Sequence, residues 1–198
     1  MLLREPAIAY GKQQFTIGEY LEIEQAAAEK HEYYRGELFA MSGAKMPHNR
    51  IAANLIRLLG NKLEGKQCFA VGSDTRVHIE QNSLFTYPDV TVICGQEETL
   101  NNDGFNVLNP TVLAEVLSAS TKAYDRNQKF ELYRDIPSLR GYLMVDSETL
   151  SVEYWHLSEN AKWEQTVYTN MGDIVLLSAI EVALPMADVY EGVNFVTT

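Results

Sequence analysis

The chain has 198 residues, 46% of them hydrophobic, with 11 Tyr, 7 Phe and 2 Trp, which suits one domain spanning 1–198 with a sizeable core. No run reaches transmembrane length, and Met1–Pro6 carries a charge too early, on too short an apolar stretch, for a signal peptide. The net charge of -11 argues against non-specific coating of nucleic acid, which is driven by Lys and Arg, although bound metal ions can offset carboxylates around a site.

The first helix is expected to begin near Thr16, because Thr16-Ile17-Gly18-Glu19 fits a capping box, and to run to about Lys30. Tyr33 to Met41 reads as a tight turn leading into a strand. Pro47 and His48 precede a second helix with Ile51, Leu55, Leu58, Leu59 and Leu63 at helical spacing. Cys68 to Glu80 reads as one or two strands. Two further strands follow, Tyr87 to Ile93 and Val112 to Leu117, separated by a polar loop over Gln96 to Asn106. A third helix starts close to Asp125 and ends before Pro137. Strands are predicted over Leu139 to Val145, Val152 to Leu157 and Trp163 to Thr169. Ile174 to Tyr190 is ambiguous between strand and short helix, broken by Pro185. The order predicts an α/β or α+β fold. One disulfide between Cys68 and Cys94 is possible in principle, but without a secretion signal they are expected to be reduced, packed thiols in a cytoplasmic protein.

Two charges interrupt the apolar strands: Asp89 in Tyr87-Pro88-Asp89-Val90, and Glu115 in Val112-Leu113-Ala114-Glu115-Val116-Leu117. A charge inside a core strand needs something to balance it. Mg²⁺ is usually held by one or two carboxylates plus waters and substrate phosphate, so two adjacent strands presenting one carboxylate each would suit it. Lys129, on the helix that follows, could orient a water and stabilise charge on a phosphoryl transition state. The plainer alternative is that Asp89 caps a turn, Glu115 faces solvent and Lys129 is a surface lysine.

Pro88-Asp89 followed by Glu115-Val116-Leu117-Ser118 resembles the PD-(D/E)xK nuclease superfamily. The ordered set of Thr16-Ile17-Gly18-Glu19-Tyr20, Glu32 to Leu38, Met41-Ser42, His48, Ser120-Thr121, Asp125, Lys129, Tyr133 and Gly141 to Asp146 is similar to its Uma-type restriction endonuclease branch. The resemblance implies a restriction-endonuclease-like α/β fold, with a mixed central β-sheet flanked by helices. It implies Mg²⁺, with Mn²⁺ as a substitute, held by Asp89 and Glu115 with Glu37 beside it, and Lys129 and His48 as catalytic groups. DNA is the implied substrate and a homodimer the implied assembly. The superfamily pattern puts a lysine where this chain has Leu117, so Lys129 is the substitute and Lys122 the runner-up. Asp125 and Ser118 are expected to fix Lys129 and Glu115.

The four His and two Cys show no zinc-ligand spacing. There is no phosphate-binding or dinucleotide-binding glycine motif and no Gly-x-Ser-x-Gly elbow. The rival reading is a dimeric nucleic-acid-binding or regulatory protein that keeps the scaffold without turnover.

Overall fold

A computed structural model of the chain describes residues 14–195; the Met1–Pro6 segment lies outside them. Thr16 caps α1 (Ile17–Ala26) through a complete capping box: its hydroxyl accepts from the Glu19 amide, and the Glu19 carboxylate accepts from the Thr16 amide at 2.8 Å. The helix stops short of Lys30 because Ala27 is already extended, and the Lys30 carbonyl bonds Met41 at the end of the next hairpin. That hairpin joins β1 (His31–Tyr34) to β2 (Glu37–Ala40). Its two turn residues, Arg35 and Gly36, have φ of 48° and 93°, as a two-residue hairpin with the right twist requires.

The helix α2 (Met46–Leu63) buries the five apolar residues that its spacing marked. Each fully buried side chain of this kind contributes roughly 1.5–3 kcal/mol, and Leu55→Ala would cost about 2–5 kcal/mol. It packs on a six-stranded sheet of β3 (Cys68–Gly72), β6 (Val90–Cys94), β8 (Val112–Leu117), β9 (Gly141–Asp146), β10 (Val152–Leu157) and β11 (Trp163–Tyr168). Their spatial order is β11-β10-β9-β8-β6-β3. A second sheet, β2-β1-β5-β4-β7, adds β4 (Arg76–Ile79), β5 (Leu84–Thr86) and β7 (Asn106–Val107). The ambiguous C-terminal stretch is a hairpin, β12 (Ile174–Leu177) and β13 (Val182–Pro185), followed by the short α5 (Met186–Val189). Its inner residues Val175, Leu177, Val182 and Leu184 close the core around α2.

All six residues of β8 are buried, as expected for a central strand covered on both faces. Alternation sends Val112, Ala114 and Val116 to the α2 core and Leu113 and Leu117 to a second cluster with Phe130 and Tyr133. Glu115 shares that second face. The strands β8 and β9 are parallel, so a crossover must join them. It is a helical run of α3 (Lys122–Tyr124), a wide π turn (Asp125–Lys129) and α4 (Phe130–Tyr133). The crossover therefore lays Lys129 back over the face of β8 that carries Glu115.

The expectation of reduced thiols is corrected. Antiparallel pairing of β3 with β6 sets Cys68 directly opposite Cys94, with Cα atoms 4.0 Å apart, and the two form a disulfide. Their state therefore no longer argues for a reducing compartment. Among the described residues, no helix is long and apolar enough to cross a membrane.

Candidate active site

Asp89 lies between β5 and β6, on a turn fixed by its neighbour Tyr87. The Tyr87 hydroxyl donates to Glu24 at 2.7 Å and accepts from Arg76 at 3.3 Å. The β6–β8 register pairs Val90 with Ala114; continued by one residue, it sets Asp89 opposite Glu115, on the same face of the sheet. The Oδ2 atom of Asp89 accepts from the Val116 amide at 2.8 Å and lies 3.2 Å from Nε2 of His48, in the first turn of α2.

Lys129 is 3% exposed and its Nζ lies 2.7 Å from Oε1 of Glu115, 3.2 Å from Oε1 of Glu32 and 3.9 Å from Oδ1 of Asp125. The same Glu115 oxygen accepts from the Tyr133 hydroxyl at 2.7 Å, and Tyr142 donates to the Asp125 carbonyl at 3.1 Å. Glu32, His48, Asp89, Glu115, Asp125 and Lys129 all line one open cavity of about 950 Å³.

Six carboxylates (Glu29, Glu32, Asp89, Glu115, Asp125 and Glu148) against three ammoniums (Lys30, Lys45 and Lys129) line this cavity and leave it short of positive charge. Burial, reinforced by Asp89 and Asp125 and opposed by Lys129, pushes the Glu115 carboxyl up to about 8. Burial works to lower the Lys129 ammonium, but Glu115 and Glu32 outweigh it and hold it well above its usual range. His48 follows the same pattern: burial opposes its proton, and the hydrogen bond and charge of Asp89 raise it. Burial also raises Tyr133 and Tyr142, keeping both hydroxyls as donors.

These contacts test whether a divalent cation fits. No described residue donates a hydrogen bond to Oδ1 of Asp89 or Oε2 of Glu115; the bonds of each carboxylate converge on its other oxygen. Two hard oxygens facing a charge-deficient cavity suit Mg²⁺, which needs only one or two carboxylates. Among the described residues, no group of three or more His, Cys, Asp or Glu converges as a metal cage.

The structure thus brings Asp89, Glu115, Lys129 and His48 together. It does not bring Glu37: that residue pairs with Tyr34 at the turn end of the hairpin and does not line the cavity. Glu32, earlier in the same hairpin, reaches in instead. Ser118 bonds Ser120 and Thr121, and it is Tyr133 that bonds Glu115. Lys122 sits 3.9 Å from Asp146 and away from the cavity. Arg126, on the same wide turn as Lys129, pairs with Glu153 on β10.

The mixed sheet, the paired carboxylates and the lysine delivered by the crossover define a chain built on a restriction-endonuclease-like scaffold. The chain belongs to the Uma2 family, described as "putative restriction endonuclease", whose model matches residues 17–187. It is similar to two uncharacterised proteins of Synechocystis sp. (strain PCC 6803). With sll1609 it is 39% identical, over 75% of this chain and 84% of that protein. With slr1290 it is 32% identical, over 98% of this chain and 100% of that one. Among solved structures it shares its fold with "a putative nuclease belonging to DUF820" from Anabaena variabilis. The TM-score is 0.70 at 14% identity, over 89% of this chain and 97% of the other.

Proposed function

We propose that this protein is a Mg²⁺-dependent endonuclease that hydrolyses DNA phosphodiester bonds in the Asp89–Glu115–Lys129 cavity, acting as a homodimer. The observation that supports it most is the facing pair of carboxylates, each with one oxygen that accepts no hydrogen bond from the described residues, beside a lysine 2.7 Å from Glu115. Asp89 and Glu115 would hold the cation, which when bound supplies Lewis-acid neutralisation of phosphoryl charge; Mn²⁺ would substitute.

The remaining work falls to the chain's own groups. The Val116 amide fixes Asp89, and the Tyr133 hydroxyl fixes Glu115. The Lys129 ammonium orients the attacking water and stabilises charge on the transferring phosphoryl group. Water oxygen attacks phosphorus in line and the bond to the 3′ oxygen breaks. One water proton ends on the leaving oxygen, giving a 5′-phosphate and a 3′-hydroxyl. His48, on Asp89, can carry a proton out of the site. A homodimer supplies two symmetric sites for the two strands of a duplex.

The test is cleavage of plasmid, linear duplex, branched and single-stranded DNA with Mg²⁺ or Mn²⁺, beside Asp89→Ala, Glu115→Ala and Lys129→Ala. Loss in all three folded variants supports the reading. Cleavage that survives them places the activity elsewhere, and a wild type inert on every substrate moves the weight to a non-catalytic binding protein on the same scaffold.

A further inference from the structure

Glu32 has no part in the chemistry above, yet it is 2% exposed and lines the same cavity. It stands on β1, in the five-stranded sheet, whereas Glu115 belongs to β8 of the six-stranded one and Asp89 immediately precedes its strand β6. A buried carboxylate is retained only with compensating partners. Here Oε1 accepts from the Thr86 hydroxyl on β5 at 2.6 Å and lies 3.2 Å from Nζ of Lys129.

The Lys129 ammonium is thus held by carboxylates from both sheets. Its shorter contact is to Glu115, a group that the proposed function also assigns to a cation. A lysine side chain has several free torsions and little preorganisation of its own. Without Glu32, only the long 3.9 Å contact to Asp125 would hold its ammonium whenever Glu115 is drawn toward another charge. We infer that Glu32 is a positioning residue: through Thr86 and β1 it holds the Lys129 ammonium in the cavity independently of Glu115. Groups that orient a reacting residue through hydrogen bonds matter to function on the scale of about 10–100-fold.

The kinetic half of this inference rests on the nuclease reading; the labelling half does not. The variant to make is Glu32→Gln, which keeps the volume and can still accept from Thr86 but loses the charge that holds Lys129. Thr86→Val, which removes the hydroxyl fixing Glu32, is its companion. Two quantities are read on the full chain: kcat and KM on a cleaved DNA, and the rate at which an amine-reactive reagent labels Lys129, by mass spectrometry. Glu32→Gln should lower kcat about tenfold or more with KM within about twofold. It should also speed labelling of Lys129 several-fold, leaving the other lysines unchanged. Thr86→Val should move both in the same direction by less. Wild-type kcat together with unchanged labelling in Glu32→Gln would overturn the inference, since Glu32 would then only fill space. If the wild type cleaves nothing, the nuclease reading fails and Lys129 labelling alone decides. If Glu32→Gln does not fold, Thr86→Val decides by the same two readouts.

Discussion

Asp89 accepts a hydrogen bond from the backbone amide of Val116, at 2.8 Å. An acidic side chain thus takes the place of a ladder carbonyl just where β6 begins, and locks the turn to the strand carrying Glu115. One residue is asked to face the cavity with Oδ1 and to satisfy a buried amide with Oδ2. Asp89→Asn keeps an acceptor for Val116, while Asp89→Ala leaves that amide without a partner. In urea unfolding, Asp89→Ala should therefore be less stable than Asp89→Asn by about 1–3 kcal/mol. Equal stabilities would show that the bond contributes little to holding the two strands.

The Lys129–Glu115 pair is nearly free of solvent, so removing one member strands the other. Lys129→Met is expected to lower stability by about 3–5 kcal/mol. Adding Glu115→Gln should restore part of the loss, because one of the carboxylates that Lys129 compensates is then gone, while Glu32 and Asp125 remain. A double-mutant cycle would measure this as a coupling of roughly 0.5–3 kcal/mol. Additive effects would mean that the two groups do not interact in solution.

The site was legible where a charge broke a period. Asp89 and Glu115 stand out because the residues around them are apolar in a strand rhythm, and their pairing follows from one antiparallel register. Glu32 was not legible: it sits among His31, Tyr33 and Tyr34, of which His31 and Tyr33 are also buried, so no alternation sets it apart. A hairpin turn separates Glu32 from Glu37, and the sequence does not say which glutamate the twist of the sheet carries into the cavity. The disulfide needed the β3–β6 register, which residue spacing does not contain. The β12–β13 hairpin was obscured because its turn uses Glu181 at φ 52° rather than a glycine or asparagine. The five helix-core positions of α2, by contrast, followed directly from helical spacing.

His78 provides a pH-dependent term remote from the carboxylates. Its ring stacks on Phe85 with centroids 3.8 Å apart and bonds the Leu84 carbonyl at 3.1 Å; burial lowers its proton affinity below the ordinary 6.5. The unfolded chain then binds a proton that the folded chain refuses. Stability from this group is fully present above the unfolded value and is lost as pH falls below it. Melting temperatures of wild type and His78→Gln, followed from pH 7.5 to 5.5, should converge as pH falls. A gap independent of pH would show that His78 does not titrate differently on folding.

Metal dependence has a readout that needs no substrate. If Asp89 and Glu115 hold the cation, Mg²⁺ or Mn²⁺ binds the folded chain and not the unfolded one, and stabilises it by about 2.7 kcal/mol at a hundredfold excess over Kd. The melting temperature of the wild type should rise with added cation and fall back when a chelator removes it. Asp89→Ala should abolish the rise. Glu37→Ala should leave it intact, because Glu37 lies at the turn end of its hairpin, outside the cavity. A rise lost in Glu37→Ala but kept in Asp89→Ala would place the cation elsewhere and remove the chief support for the proposed chemistry.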